Sequence, residues 1–180
     1  GHGLSDSPPE GSGCTWQEMG ADLTRLRRTW NRPRTVLAGT SMGAAACLYS
    51  ALQDMGTGVD ALILASPPSC YETRRKFVPT YLDALTLARS EGLMAAKRSQ
   101  DTKARPPIFL ETDAGRQTYE IGWREKFSMG LDRYSAAMEG AIASDLPSRQ
   151  RLGEIRCPVL VLAWQSDVQH PVATARMLVD

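Results

Sequence analysis

Three apolar runs of strand length punctuate the chain, at residues 35–38, 61–65 and 159–163, and the stretches between them carry helical periodicity. The first two runs are separated by an alanine-rich stretch, 44–52, and a break at Met55-Gly56-Thr57-Gly58. Strand, helix, strand in that order predicts a βαβ unit, hence a parallel pair covered on both faces. Upstream, Thr15 and Glu18 make a T-x-x-E capping box, and Trp16, Met19, Leu23, Leu26 and Trp30 recur every three or four residues. That spacing predicts a helix with one buried apolar stripe, closed at Asn31-Arg32-Pro33. Residues 1–13, rich in Gly, Ser and Pro, read as a loop.

Between residues 69 and 150 the pattern turns helical throughout, over 75–96, 116–128 and 131–142, with a proline break at 104–107. The strand pattern resumes only after Pro158, where 159–163 reads as a buried strand, and 171–179 predicts the helix after it. The fold class is therefore α/β: a parallel-sheet core in two pieces, 1–68 and 151–180, with a helical cap, 69–150, inserted between them.

The end of the first run is the most chemically informative place in the chain. Gly39-Thr40-Ser41-Met42-Gly43 joins a strand to a small-residue helix, the context of a nucleophile elbow, in which the serine sits on a tight strained turn flanked by near side-chain-free positions. Gly39 and Gly43 meet that need, and the first helical amide, that of Met42, is placed to hold an oxyanion.

Composition narrows the classes without adding chemistry. The 180 residues carry 21 basic and 20 acidic side chains, and 42% are hydrophobic, ordinary for a globular protein. The basic clusters Arg25-Leu26-Arg27-Arg28 and Arg74-Arg75-Lys76 read as solvated helix faces, so no nucleic-acid partner is expected. No apolar run is long enough to span a membrane, and no membrane partner is expected. Cys14, Cys47, Cys70 and Cys157 show neither C-x-x-C nor metal-ligand spacing and read as free thiols of a reducing, cytoplasmic compartment; no metal or other cofactor is expected.

Taken in order, Gly1-His2-Gly3-Leu4-Ser5-Asp6, the Gly-Thr-Ser-Met-Gly elbow, residues 61–65 with their Ser-Pro-Pro exit, and residues 158–171 resemble consecutive landmarks of the α/β-hydrolase fold superfamily, in its esterase and enol-lactonase flavour with a helical lid. The resemblance implies a partial hydrolase core truncated at both ends. It implies Ser41 as nucleophile and Asp167, just past the third apolar run, as the acid of the triad. In that superfamily the histidine follows a further strand, so the resemblance places the base, like the second oxyanion donor, outside this chain and leaves a gap one imidazole wide between Ser41 and Asp167.

Weighed residue by residue, Ser41 could also be a solvent-facing turn serine and Asp167 a turn or helix-capping carboxylate. His170, three residues from Asp167 on the same loop, is set aside as a substitute base and reads as a pocket-rim or loop-fixing residue or as ordinary turn packing before Pro171. His2 reads as a local turn partner, Asp54 and Asp60 as structural, and Arg74 and Arg75 as a solvated helix start. The aromatic and methionine side chains of the cap are in aggregate enough to roof a site for a small apolar or acyl substrate. The expected function is a serine hydrolase of esters or lactones, the fragment itself being of little activity. A non-catalytic protein of the same fold, a transferase and a carbon–carbon bond hydrolase stay open, because a fold does not fix its chemistry. Oligomeric state is not legible.

Overall fold

The computed structural model describes residues 13–30, 32–53, 58–103 and 111–179. Sequence features at residues 1–12, 31, 54–57, 104–110 and 180 lie outside them, including the Gly-His-Gly stretch with His2, Asp54 and the proline break.

The chain runs α1 (Trp16–Trp30), β1 (Val36–Thr40), α2 (Met42–Gln53), β2 (Ala61–Ala65), α3 (Tyr71–Glu91), α4 (Leu93–Asp101), α5 (Asp113–Ala143), α6 (Arg149–Leu152), β3 (Val159–Leu162) and α7 (Val172–Val179). The strands form one parallel sheet in the order β1-β2-β3, with Val36 level with Ala61, and Leu62 with Val159. Asp60 ties the amino ends together, its carboxylate accepting from the Thr35 N–H at 2.6 Å. This is the expected α/β architecture, a partial parallel-sheet core interrupted by helices.

The sheet is more open than expected. Leu37, Leu62 and Leu64 are buried against Leu48, Ala44 and Ala51 of α2, whereas Val36, Leu160 and Leu162 are exposed. A strand buried on both faces was expected for 159–163; instead β3 alternates half-buried and exposed positions, because Val159 and Val161 face the core and their neighbours do not.

Helix α1 begins as its capping box predicts. Glu18 accepts from the Thr15 N–H at 2.9 Å, and the Glu18 N–H donates to the Thr15 hydroxyl at 3.2 Å. Its buried stripe coincides with the apolar one only at Trp16 and, in part, Leu23. Trp16, Gly20, Thr24 and Arg27 are buried, while Leu26 and Trp30 are exposed. The reason is close helix packing: a Cβ on Gly20 would lie 2.4 Å from Tyr49 Cβ of α2, so small residues rather than large ones make the seam. Within it the Thr24 and Ser50 hydroxyls share a hydrogen bond of 2.9 Å.

Residues 71–101 and 113–143 are helical, broken at Gly92 and at Gly130, both with positive φ. They hold a small core of their own, Trp123, Tyr134, Ala88 and Ala96. Arg74, expected on a solvated helix start, is 2% exposed. Its guanidinium lies 3.9 Å over the Trp16 ring and donates to the carbonyls of Ala141 and Ser144 at the end of α5. Arg27 is likewise buried, donating to the Gly58 carbonyl, so neither basic cluster is wholly a solvated face. Two long-range acceptors override the local pattern at Arg74: carbonyls at a helix end attract a cation that stacks on an indole.

Candidate active site

Strand β1 ends at Thr40 and α2 begins at Met42, leaving Ser41 to make the whole turn. It does so with φ of 53°, a left-handed conformation unusual for any residue but glycine, asparagine or aspartate. The turn is pinned by the Ser41 N–H donating to Ala65 O at 3.0 Å, and by the Ser41 carbonyl accepting from the N–H groups of Ala44 and Ala45. Ser41 thus stands at the carboxyl ends of the parallel strands, where α2 presents its first amides; that of Met42, the first helical residue, has no acceptor within the helix.

The two elbow glycines differ in role. A Cβ at Gly39 would meet the Gly43 carbonyl oxygen at 2.3 Å, so residue 39 must be glycine for the strand and helix to approach. A Cβ at Gly43 would meet nothing within 4 Å. The expectation that both positions exclude side chains for steric reasons therefore holds for Gly39 alone.

The loop after β3 brings the second half of the site. Asp167 is 8% exposed. One of its oxygens, Oδ1, accepts from the N–H groups of Gln169 at 3.1 Å and His170 at 3.2 Å, closing an Asx turn; the other, Oδ2, lies 2.8 Å from His170 Nδ1. The ring's far nitrogen, Nε2, is 2.8 Å from Ser41 Oγ. Burial pushes the Asp167 carboxyl upward, but the hydrogen bond and charge of His170 and the two backbone donors outweigh it and hold the group below its ordinary value.

The gap between Ser41 and Asp167 is therefore filled by an imidazole of this chain. The expectation that the gap is open is corrected: the His170 ring lies in it. A separation of only three residues on one loop argues, in sequence, against a ring inserted between the acid and the serine. The Asx turn, entered through Ser166 with φ of 65°, folds residue 170 back over Asp167. The legible signal was Asp-x-x-His-Pro itself, a turn-forming carboxylate followed by a proline that sets the exit. β2 lies between β1 and β3, so the ends to be bridged are two strand spacings apart, about 10 Å. Two hydrogen bonds with an imidazole between them span a distance of that order. The exit of β2 supports the loop from below, the Ser69 N–H donating to the Gln169 carbonyl at 3.0 Å.

Among the described residues no cluster of three His, Cys, Asp or Glu is placed to hold a metal ion, and no helix is long and apolar enough to cross a membrane.

No family model matches the chain. Among proteins of known sequence, the AB hydrolase superfamily protein YisY of Bacillus subtilis (strain 168) is 26% identical over 178 residues, 99% of this chain and 65% of that protein. Among solved structures, the enol-lactonase from Burkholderia xenovorans LB400 is similar with a TM-score of 0.73 and 21% identity, over 98% of this chain and 64% of that one. The esterase EaEST from Exiguobacterium antarcticum is similar with a TM-score of 0.75 and 18% identity, over 99% of this chain and 65% of that one. The chain thus spans 65% of the length of the curated relative it matches. The parallel sheet and the comparisons agree that these residues carry the α/β-hydrolase fold, in part.

Proposed function

We propose that this protein is a serine hydrolase of small ester or lactone substrates, with Ser41 as nucleophile. The observation that carries the reading is the strained Ser41 turn at the carboxyl ends of the strands, its hydroxyl hydrogen-bonded at 2.8 Å to an imidazole that a buried carboxylate orients. The names of the similar structures, an enol-lactonase and an esterase, favour an acyl substrate over other chemistries of the fold.

In this reading Ser41 Oγ attacks the carbonyl carbon, its proton passes to the imidazole, and the Met42 N–H holds the oxyanion. The leaving alkoxide takes the proton back, and water resolves the acyl-enzyme by the same steps. Asp167 keeps the imidazole in the right tautomer and stabilises its charged form. The reading requires an imidazole between Ser41 and Asp167 and holds whichever histidine supplies it. Gly39 closes the elbow, and Gly43 leaves open space beside it. Residues 69–150 serve as the cap, and their apolar side chains roof a site for an apolar acyl or alkyl group. Cys47, Cys70 and Cys157 are free thiols, which suits a cytoplasmic setting.

A fluorophosphonate probe tests this directly. Covalent labelling of the wild-type protein, abolished in Ser41→Ala together with a roughly 10⁶-fold loss of p-nitrophenyl ester turnover, is the expected result. Unchanged labelling of the variant would remove Ser41 from the chemistry, and a wild type that neither labels nor hydrolyses would leave a non-catalytic protein of the same fold.

A further inference from the structure

We propose that helix α5 carries a carboxylate-binding position, Lys126 standing over Trp123, so that the favoured substrate is an ester or lactone whose acyl part ends in a carboxylate. This rests on the reading of Ser41 as nucleophile beneath a helical cap and adds to it the chemical class of the substrate. The Lys126 ammonium lies 4.5 Å from the centroid of the Trp123 ring, and among the described residues no carboxylate pairs with it. The helix sequence explains why. The positions three and four residues away, which share its face, are Gly122, Trp123, Met129 and Gly130, and none is acidic. Lys97 of the same cap is the contrast: it lies 5.5 Å over the Tyr119 ring but also meets Asp101 at 3.0 Å and Glu120 at 3.2 Å, which hold its ammonium above its ordinary value. At Lys126 burial alone acts, and it pushes the ammonium down.

The surroundings leave room for an anion. A Cβ on Gly122 or on Gly130 would meet nothing within 4 Å, so the chain is open one turn before Lys126 and one turn after it. Trp123 is 3% exposed, its ring centroid lies 5.8 Å from that of Phe127, and its indole N–H, which has no acceptor, adds a donor rather than a rival for the ammonium. Stacking on an indole offsets part of the cost of taking an ammonium out of water, and a carboxylate hydrogen-bonded on the open side offsets more. An apolar chain ending in that carboxylate fits both the rings and the cation. A neutral ester would use the rings alone.

The test uses the full-length protein and two substrates of equal chain length, p-nitrophenyl heptanoate and the p-nitrophenyl monoester of pimelic acid, whose acyl chain ends in a carboxylate too distant to attack its own ester. Wild type is expected to favour the pimelate ester in kcat/KM by about tenfold or more. In Lys126→Met that ratio is expected to fall by about tenfold, carried by KM, while Lys126→Arg keeps most of it because the charge and the stacking persist. A residue that only packed the cap would move both substrates together. A wild-type ratio near one, or a ratio unchanged in Lys126→Met, with Ser41→Ala inactive, would overturn the carboxylate position and leave the hydrolase reading intact. Should wild type hydrolyse neither ester, that reading fails and pimelate itself becomes the probe, by isothermal titration calorimetry. Binding about tenfold tighter to wild type than to Lys126→Met would support the position, and equal or absent binding would overturn it.

Discussion

Gly39 lies against the backbone of Gly43 so closely that a Cβ on residue 39 would stand 2.3 Å from the Gly43 carbonyl oxygen and 2.7 Å from the Ala44 nitrogen. The obstructing atoms are backbone at the start of a helix whose Ala44 and Ala45 are fully buried, so they cannot swing aside. Gly39→Ala is therefore expected to cost about 1–3 kcal/mol of stability, the range for overpacking, and to displace Ser41. Gly43→Ala adds a methyl to open space on a helix, where alanine is favoured over glycine by about 1 kcal/mol, and is expected to melt at or above wild type. Urea unfolding of the two variants reads the difference; equal destabilisation would mean that the elbow tolerates neither.

The strands and the tight turn at Ser41 were legible because they depend on local order: apolar runs bounded by breakers, and a small-residue pentapeptide between a strand and a helix. Helix α1 shows where that reasoning stops. Its capping box is local and was readable, but its buried face is decided by α2, which approaches so closely at Gly20 that a Cβ there would meet Tyr49, and which brings Ser50 within hydrogen-bond reach of Thr24. His170 failed for a related reason. Its distance from Asp167 along the chain was legible, but the Asx turn that brings its ring between Asp167 and Ser41 is a property of backbone amides that hydrophobic patterning does not record. Ser41 lies 129 residues away in sequence, so nothing local announces the meeting.

Arg74, like Arg27, is a charged side chain that patterning placed wrongly, and it yields a prediction. Its planar fork donates from Nε and Nη2 to two carbonyls at the end of α5 while its face covers Trp16, and burial pushes the guanidinium below its ordinary value. Lysine keeps the charge but not the fork or the stacking plane. Arg74→Lys is expected to destabilise by about 1.5–3 kcal/mol, the scale of hydrogen bonds to a charged group, measured by urea unfolding. A change below about 0.5 kcal/mol would show that the fork contributes nothing beyond its charge.

Asp167 gives the pH prediction. Its folded value lies below the ordinary 3.8, so it binds its proton less readily in the native state than in the unfolded chain. The stability this contributes is fully present above the unfolded value and is lost as pH falls through the folded one. Across pH 5–8 the carboxylate stays ionised and the relay intact, and unfolding midpoints should carry no slope from this group. Below pH 3.8 the wild type should lose stability to its protonation, and Asp167→Asn should lack that component because asparagine does not titrate. Near neutral pH the same variant should fold but turn over about 10⁴-fold more slowly, since an amide no longer selects the imidazole tautomer that faces Ser41. Parallel acid-unfolding curves for wild type and Asp167→Asn, or turnover within tenfold of wild type, would show that the carboxylate neither titrates in the native range described nor orients the ring.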